Sequence, residues 1–320
     1  MNRKLAVYEP FLSEEHKDQI RTAAEEHGFE VRMIDSPESE REFLMASEVI
    51  FGQLPEIAGT STALKWLCTP FAGVDRFLAE DAFANPEAML SNSSGAYGVT
   101  ISEHSIMLLL DILRRQPEYR RIVADHEWRR DLMVRSIRDS RITLLGTGDI
   151  GLETAIRLKA FSPACITGVN RYGRNPDRCF DRILTKEQWE EILPETDVLI
   201  ISLPGTQDTF HMVGAKQLSL LPDEAVIINV GRGTVIDQEA LIRELKSGRL
   251  YAGLDVFEKE PLEKDDPVWE LPNLLITPHT AGNMTLAHTV NRIVEMFIKD
   301  LDHYCAGEKP EHLIDRARGY

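Results

Sequence analysis

The sequence predicts an α/β protein of two doubly wound parallel-sheet domains, one inserted in the other. Three observations lead there. Short apolar runs alternate with polar helical stretches along nearly the whole chain, which implies strands joined by crossover helices. The 320 residues exceed one ordinary domain and accommodate two, taking about 150 residues per domain. The alternation also runs twice, once before about residue 98 and again from Arg141.

In the first series residues 5–8 read as a strand, and residues 14–27 as a helix capped by Ser13 and stopped by Gly28. Residues 30–34, 49–51 and 66–68 are further strands, with helical connections between them. SEHSIMLLLDILRR at 102–115 has the apolar density of a helix buried on most of its circumference, which suits passage between two domains. The second series runs RITLLG (strand), a glycine turn, LETAIRLKAF (helix), then CITGVN, DVLIISLP and EAVIINV (strands). QEALIRELKSG follows as a helix ended by Gly248, then AGLDVF and NLLITPH as strands. A long amphipathic helix over about 285–304 closes the series, and no fixed repeat or low-complexity tract interrupts it. The predicted division is an inserted domain over 99–284 and a host domain of 1–98 plus 285–320.

Composition narrows the function. Apolar residues at 43% and charged residues at 28% describe an ordered globular chain. A net charge of −16 opposes binding to a polyanion. The arginines at 114–115, 120–121 and 129–130 are interleaved with acids, so they read as a solvated or subunit-facing helical surface and not as a nucleic-acid patch. Cys68, Cys165, Cys179 and Cys305 lack C-x-x-C spacing, so reduced thiols and a cytoplasmic location are expected. MNRKLAVYEP has no signal-type apolar region, and no run is long enough to span a bilayer. The acidic run 258–266 lacks histidine or cysteine at ligand spacing, so no metal is expected. Trp66, Trp128, Trp189 and Trp269 read as packing residues, and His104 as a buried core histidine.

Gly146-Thr147-Gly148-Asp149-Ile150-Gly151 lies directly after a strand and before a helix. Gly146 permits the tight turn, Gly148 lets the backbone approach a pyrophosphate, and Gly151 lets helix and strand pack closely. The helix dipole then favours the phosphates. Together these imply a dinucleotide site. A carboxylate at the end of the second strand would accept from the ribose hydroxyls of NAD. Here the sequence is Asn170-Arg171-Tyr172-Gly173-Arg174, which removes that acid and offers two guanidinium groups to a 2′-phosphate. The expectation is NADP preference; if both arginines are ordinary surface residues, NAD remains the alternative.

Three more segments place polar residues at strand ends: 229–233 with Arg232, 254–261 with Asp255, Glu258 and Glu260, and 277–282 with His279. Carboxyl ends of strands are where ligands bind in a doubly wound sheet. Reduction of a 2-keto acid needs a cation on the carboxylate and carbonyl, a hydride donor, and an acid for the new alkoxide. Arg232 offers a planar two-pronged donor. His279 is the side-chain type that exchanges a proton near neutral pH, and a carboxylate could orient its ring.

These segments, with CTPFAGVDRF (68–77), SNSSGAYGVTISEH (91–104), LPGTQDT (203–209), INVGRGTVID (228–237), GLDVFEKEPL (253–262) and TPHTAG, closely resemble the D-isomer-specific 2-hydroxyacid dehydrogenases. The resemblance runs nearly the whole chain. It implies a Rossmann cofactor domain inserted in a flavodoxin-like substrate domain, and hydride transfer between NAD(P)H and a small 2-keto or D-2-hydroxy acid. Arg232, Glu260 and His279 match the family's catalytic residues, which favours Glu260 over Glu258 as the partner of the histidine. Asp255 matches the aspartate near the nicotinamide carboxamide. Asp149, Ile150, Pro204, Thr209, Val230, Gly231 and Gly282 match cofactor contacts, and Ala72-Gly73 match the loop whose amides receive the substrate carboxylate. Closure of the two domains on substrate and a homodimer through the cofactor domain are implied too. With the sequence ending at Tyr320, the added regulatory domain of some family members is not expected.

Three positions depart from the family pattern: Asn170 replaces the acid, Gly205 stands where larger residues are common, and Phe71 precedes Ala72 where a small residue is usual. The second reading is a dinucleotide-sensing interaction protein of the corepressor type, which shares this fold and can retain the same three residues.

Overall fold

The computed structural model describes residues 3–175, 178–316, 318 and 319; Met1, Asn2 and Tyr320, cited above, lie outside them. Its elements begin with β1 (Arg3–Tyr8), α1 (Glu14–Glu26), β2 (Phe29–Met33), α2 (Arg41–Met45), β3 (Val49–Gly52), α3 (Pro55–Ala58), β4 (Trp66–Cys68) and β5 (Met89–Ser91). Then come α4 (Gly98–Leu113), α5 (Gln116–Ala124), β6 (Arg141–Leu145), α6 (Asp149–Lys159), β7 (Cys165–Val169), β8 (Arg182–Leu184), β9 (Val198–Ile201) and α7 (Ala215–Leu220). β10 (Val226–Asn229), α8 (Gln238–Lys246), β11 (Tyr251–Leu254), β12 (Leu274–Ile276) and α9 (Ala287–Cys305) complete the order. The chain divides into two compact units, one of Met1–Tyr97 with Met284–Tyr320 and one of Gly98–Asn283.

The first unit holds a parallel sheet in the order β2-β1-β3-β4-β5, the flavodoxin-like arrangement. Its first helix starts where the sequence predicts, because the Ser13 hydroxyl accepts from the backbone N–H of His16. The long helix α9 packs on α1. Its Phe297 stacks on Phe51 with ring centroids 4.3 Å apart. Buried Trp66 keeps its indole N–H satisfied by donating to Ser91 Oγ.

The second unit holds a parallel sheet in the order β12-β11-β10-β9-β6-β7-β8. Two crossovers run outward from β6 in opposite directions, which is the Rossmann topology. Every residue of β9 and β10 is buried, as expected of parallel strands covered on both faces. The helix α4 packs against α6, β10 and β11, which accounts for its dense apolar sequence. It starts at Gly98, four residues before the expected 102, and Gly98 lies against the Asp149 carboxylate, which would have to shift to admit a Cβ.

Some expectations need correction. The helices α2 and α3 are the helical connections expected between the first strands, and α5 carries Arg120 and Arg121 on a helix as expected. The short strands β5 and β8 and the helix α7 were not legible, and β5 and β8 are three residues each, too short to carry a period. Trp128 is 98% exposed and Trp269 is 47% exposed, so neither is a packing residue. Arg129 and Arg130 are not helical either. His126 adopts a left-handed backbone (φ 58°) after α5, and residues 127–136 have no regular structure. Arg129 there bonds Glu127 and Asp131. Among the described residues no helix is long and apolar enough to cross a membrane, and no group of histidine, cysteine and acid side chains could hold a metal ion.

Candidate active site

One row of residues runs across the sheet of the second unit. Ile276, Leu254, Asn229, Ile201, Leu145 and Val169 are successive cross-strand partners. The second-unit candidates all lie beyond this row, on the carboxyl side of their strands: residues 146–151 after β6, 170–174 after β7, 204–209 after β9, 230–232 after β10, 255–260 after β11 and 279–282 after β12. Sequence reasoning placed each at a strand end but could not order the strands; the register aligns them.

The glycine turn has the geometry a pyrophosphate needs. Gly146 takes φ 102°, a conformation that favours glycine. A Cβ on Gly151 would overlap the Gly146 carbonyl oxygen, so helix and strand meet at backbone distance. Exposed Gly148 caps α6 and would present a Cβ to open space, leaving the helix N-terminus accessible to an anion. Asp149, an acid in that first turn, has its carboxylate against Gly98 at the start of α4. Ile150 is half-buried beside it.

Asn170 shapes the next turn. Its amide donates to Thr147 Oγ1 at 2.8 Å and to the Arg174 carbonyl, and its oxygen accepts from the N–H groups of Tyr172 and Arg174. This ties the glycine turn to the Arg171–Arg174 loop. Arg171 pairs with Asp208 at 2.9 Å. Exposed Arg174 lies over the Tyr172 ring. After β9, Thr209 Oγ1 donates to the Pro204 carbonyl and receives the Thr206 N–H, closing residues 204–209 into a compact loop. Val230 is buried, and Gly231 donates to Asn229 Oδ1.

Arg232 is flanked by glycines for steric reasons. A Cβ on Gly231 would press on the Leu203 backbone, and one on Gly233 would overlap the Phe257 carbonyl. The Arg232 segment therefore packs directly on the turn that carries Glu260. The departure at Gly205 has a reason as well: its missing side chain leaves room for the Arg232 stem, whose Cγ would lie 3.2 Å from a Cβ there. Arg232 itself is half-buried and its Nη1 donates to the Gly231 carbonyl.

Buried Asp255 organises the turn after β12. Its Oδ1 accepts from Thr277 Oγ1 and from the Thr280 N–H, its Oδ2 from the Ala281 N–H, and its carbonyl from the His279 N–H. Half-buried Gly282 ends that turn. Held this way, His279 adopts a left-handed backbone (φ 54°). Its Nδ1 sits 2.7 Å from Glu260 Oε2, and Glu260 Oε1 accepts the Phe257 N–H. Glu258, the competing carboxylate, instead accepts from His211 Nε2 and from the N–H of Gln238 at the start of α8.

His104 has a closer connection than a core role. Thr277 donates its hydroxyl proton to Asp255, so its oxygen accepts from His104 Nε2–H at 2.9 Å. Burial lowers the His104 pKa, and Asp255 opposes that shift. Thr147, Thr277 and Asp208 were missed in the sequence; hydroxyls and single surface acids carry no spacing signal. Ala72 and Gly73 lie in the first unit, half-buried in the turn after β4.

With this geometry in hand, the comparisons are consistent. The family described as D-isomer specific 2-hydroxyacid dehydrogenase, NAD binding domain, matches residues 106–281. A glyoxylate/hydroxypyruvate reductase B of Pectobacterium carotovorum is 31% identical over 273 residues, covering 82% of this chain and 84% of its own length. A D-isomer specific 2-hydroxyacid dehydrogenase family structure from Aeromonas salmonicida superposes with TM-score 0.85 at 28% identity, covering 99% of this chain and all of its own. An NADPH-dependent glyoxylate/hydroxypyruvate reductase from Sinorhizobium meliloti, solved with NADP and sulfate, gives TM-score 0.81 at 26% identity over 99% of this chain and 100% of its own.

Proposed function

The chain belongs to the D-isomer specific 2-hydroxyacid dehydrogenase family, and from that premise we propose that it reduces small 2-keto acids to D-2-hydroxy acids with NADPH. The observation that carries this reading is the His279–Glu260 pair, set one loop from Arg232 and on the same edge of the sheet as the glycine turn. Bound at the Gly146–Gly151 turn, a reduced nicotinamide dinucleotide would supply a hydride to the keto carbon. Arg232 holds the substrate carboxylate and polarises the carbonyl with its planar donor. As the carbonyl π pair moves onto oxygen, His279 gives that oxygen a proton and recovers one from solvent. Glu260 accepts from Nδ1, fixing the ring so that Nε2 is the proton-bearing atom toward substrate. The keto acid is reduced by two electrons and the dinucleotide is oxidised by two.

For the cofactor, Asn170 in place of an acid, with Arg171 and Arg174 on the loop it builds, supports NADP over NAD. Glyoxylate and hydroxypyruvate are the first substrates to try, as the names of the relatives suggest. Ala72 and Gly73 are proposed to receive the carboxylate through their amides. The cytoplasm and a homodimer formed through the second unit complete the reading. In support of the dimer, Trp128 and Met133 are 98% and 86% exposed on residues 127–136, between arginines and acids that could pair across a two-fold axis. The test is a panel of glyoxylate, hydroxypyruvate, pyruvate, phenylpyruvate and branched 2-keto acids with NADPH and NADH, with chiral analysis of product. Turnover to a D-hydroxy acid supports the reading. Tight dinucleotide binding without turnover of any member would replace it with the dinucleotide-sensing reading.

A further inference from the structure

The turn of the first unit that carries Ala72 and Gly73 is held carbonyl by carbonyl. Four successive main-chain oxygens are each taken up by the segment that follows β5. The Thr69 oxygen accepts from Ser93 Oγ at 3.2 Å, and the Pro70 oxygen from Tyr97 Oη at 2.8 Å. The Phe71 oxygen accepts from the Ser93 N–H at 3.2 Å, and the Ala72 oxygen from Asn92 Nδ2 at 2.6 Å. Asn92, Ser93 and Tyr97 are all buried.

A planar trans peptide points its C=O and its N–H in opposite directions. The Phe71 oxygen shares its peptide with the Ala72 N–H, and the Ala72 oxygen shares its peptide with the Gly73 N–H. Binding those two oxygens to residues 92 and 93 therefore turns both amides away from that segment. The described residues offer neither amide an acceptor. Adjacent N–H groups turned the same way make a nest for an anion.

We infer that Asn92 is the positioning residue of this anion nest, setting the direction of the Gly73 amide through the Ala72 carbonyl and so the affinity for the substrate carboxylate. Asn92 is itself fixed on every side. Its second amide proton goes to Ser94 Oγ, its Oδ1 accepts the Ser94 N–H, and its own N–H donates to the His312 carbonyl. The residues after α9 hold that carbonyl in place: buried Asp300 accepts from the Glu311 N–H and pairs with His312 Nδ1 at 3.1 Å. Gly95, at φ 107°, lets the 92–97 segment turn back along the 69–72 strand end. This inference rests on the 2-keto acid reading above and extends it to residues that need not touch substrate.

The test uses the full chain, with steady-state kinetics on glyoxylate and NADPH, NADPH binding by fluorescence, and thermal unfolding with and without oxalate as the anion probe. In Asn92→Ala the KM for glyoxylate should rise about tenfold, the loss of roughly one well-aimed charge-assisted hydrogen bond, while kcat and NADPH affinity stay within about threefold. Stabilisation by oxalate should weaken in parallel. Tyr97→Phe, which removes one hydroxyl, should raise KM by a smaller factor and gives the reading should Asn92→Ala fail to fold. Unchanged KM and unchanged oxalate stabilisation in a folded variant, or an equal loss of NADPH affinity, would overturn the inference while leaving the reductase reading intact. If the wild type reduces no 2-keto acid, the reductase reading fails by itself, and oxalate stabilisation still decides whether Asn92 shapes an anion site.

Discussion

His279 Nδ1 lies 2.7 Å from Glu260 Oε2, and the two residues reach this pairing from different strands, His279 beyond β12 and Glu260 beyond β11. The pairing depends on a backbone that a histidine adopts at some cost. At φ 54° His279 is left-handed, which costs roughly 1–2 kcal/mol for a residue with a Cβ. Asp255 offsets this by accepting four hydrogen bonds from residues 277–281. A strained residue held by an over-determined turn is a common feature of a working site.

The pair implies a graded result for Glu260→Gln. The amide keeps the shape of the side chain but can present its N–H to the ring, which then takes the wrong tautomer. Reductase kcat should fall between about 10- and 1000-fold, with NADPH affinity unchanged. The measurement is single-turnover reduction of glyoxylate by the variant, and an unaltered rate would remove Glu260 from the mechanism.

Cofactor preference should move with Arg174 and Asp208. Arg174→Ala should weaken NADPH about tenfold, one charge-assisted contact to a phosphate, and leave NADH nearly untouched. Asp208→Asn releases Arg171 from its ion pair and should tighten NADPH by a few fold, since the exposed pair is worth little. Dissociation constants for both dinucleotides in the three proteins decide it. Equal weakening of NADH and NADPH in Arg174→Ala would refute a 2′-phosphate role.

His104 should make stability pH-dependent. Burial lowers its folded pKa, Asp255 opposing, so the unfolded chain takes up the proton first as pH falls. The neutral form stabilises fully above the ordinary histidine range, and that contribution is lost as pH drops below about 6.5. His104→Gln should cost about 1 kcal/mol at pH 8 from the lost bond to Thr277, yet show a shallower decline in Tm between pH 7 and 5.5. A slope equal to wild type would show that His104 does not carry the effect.

Trp128→Ser with Met133→Ser should convert a dimer to monomers, read by light scattering behind size-exclusion chromatography. A wild-type chain that is already monomeric at micromolar concentration would contradict the dimer reading.

The sheets were legible because parallel strands buried on both faces spell continuous apolar runs, as in DVLIISLP and EAVIINV. The helix start at Ser13 was legible because a cap is a local signal. Residues 91–97 were recognised only as part of a pattern. Their grip on residues 69–72 depends on β4 and β5 lying side by side, and β5 is too short to announce itself. Trp128 was misread because exposure of an aromatic ring is set by what lies around it in space, and composition alone predicts burial. Arg232 and His279 were found through their neighbours in sequence. The steric need for Gly231 and Gly233 appears only once the Phe257 and Leu203 backbones are placed against them.

The most direct measurement compares wild type with His279→Gln in NADPH oxidation driven by glyoxylate or hydroxypyruvate, alongside NADPH binding by each protein. The account predicts wild-type turnover, a loss of about a hundredfold or more in the variant from the missing acid, and NADPH affinity equal within a few fold. Undiminished turnover in His279→Gln, or a wild-type protein that binds NADPH and reduces neither these two acids nor any other 2-keto acid of the panel, would contradict it.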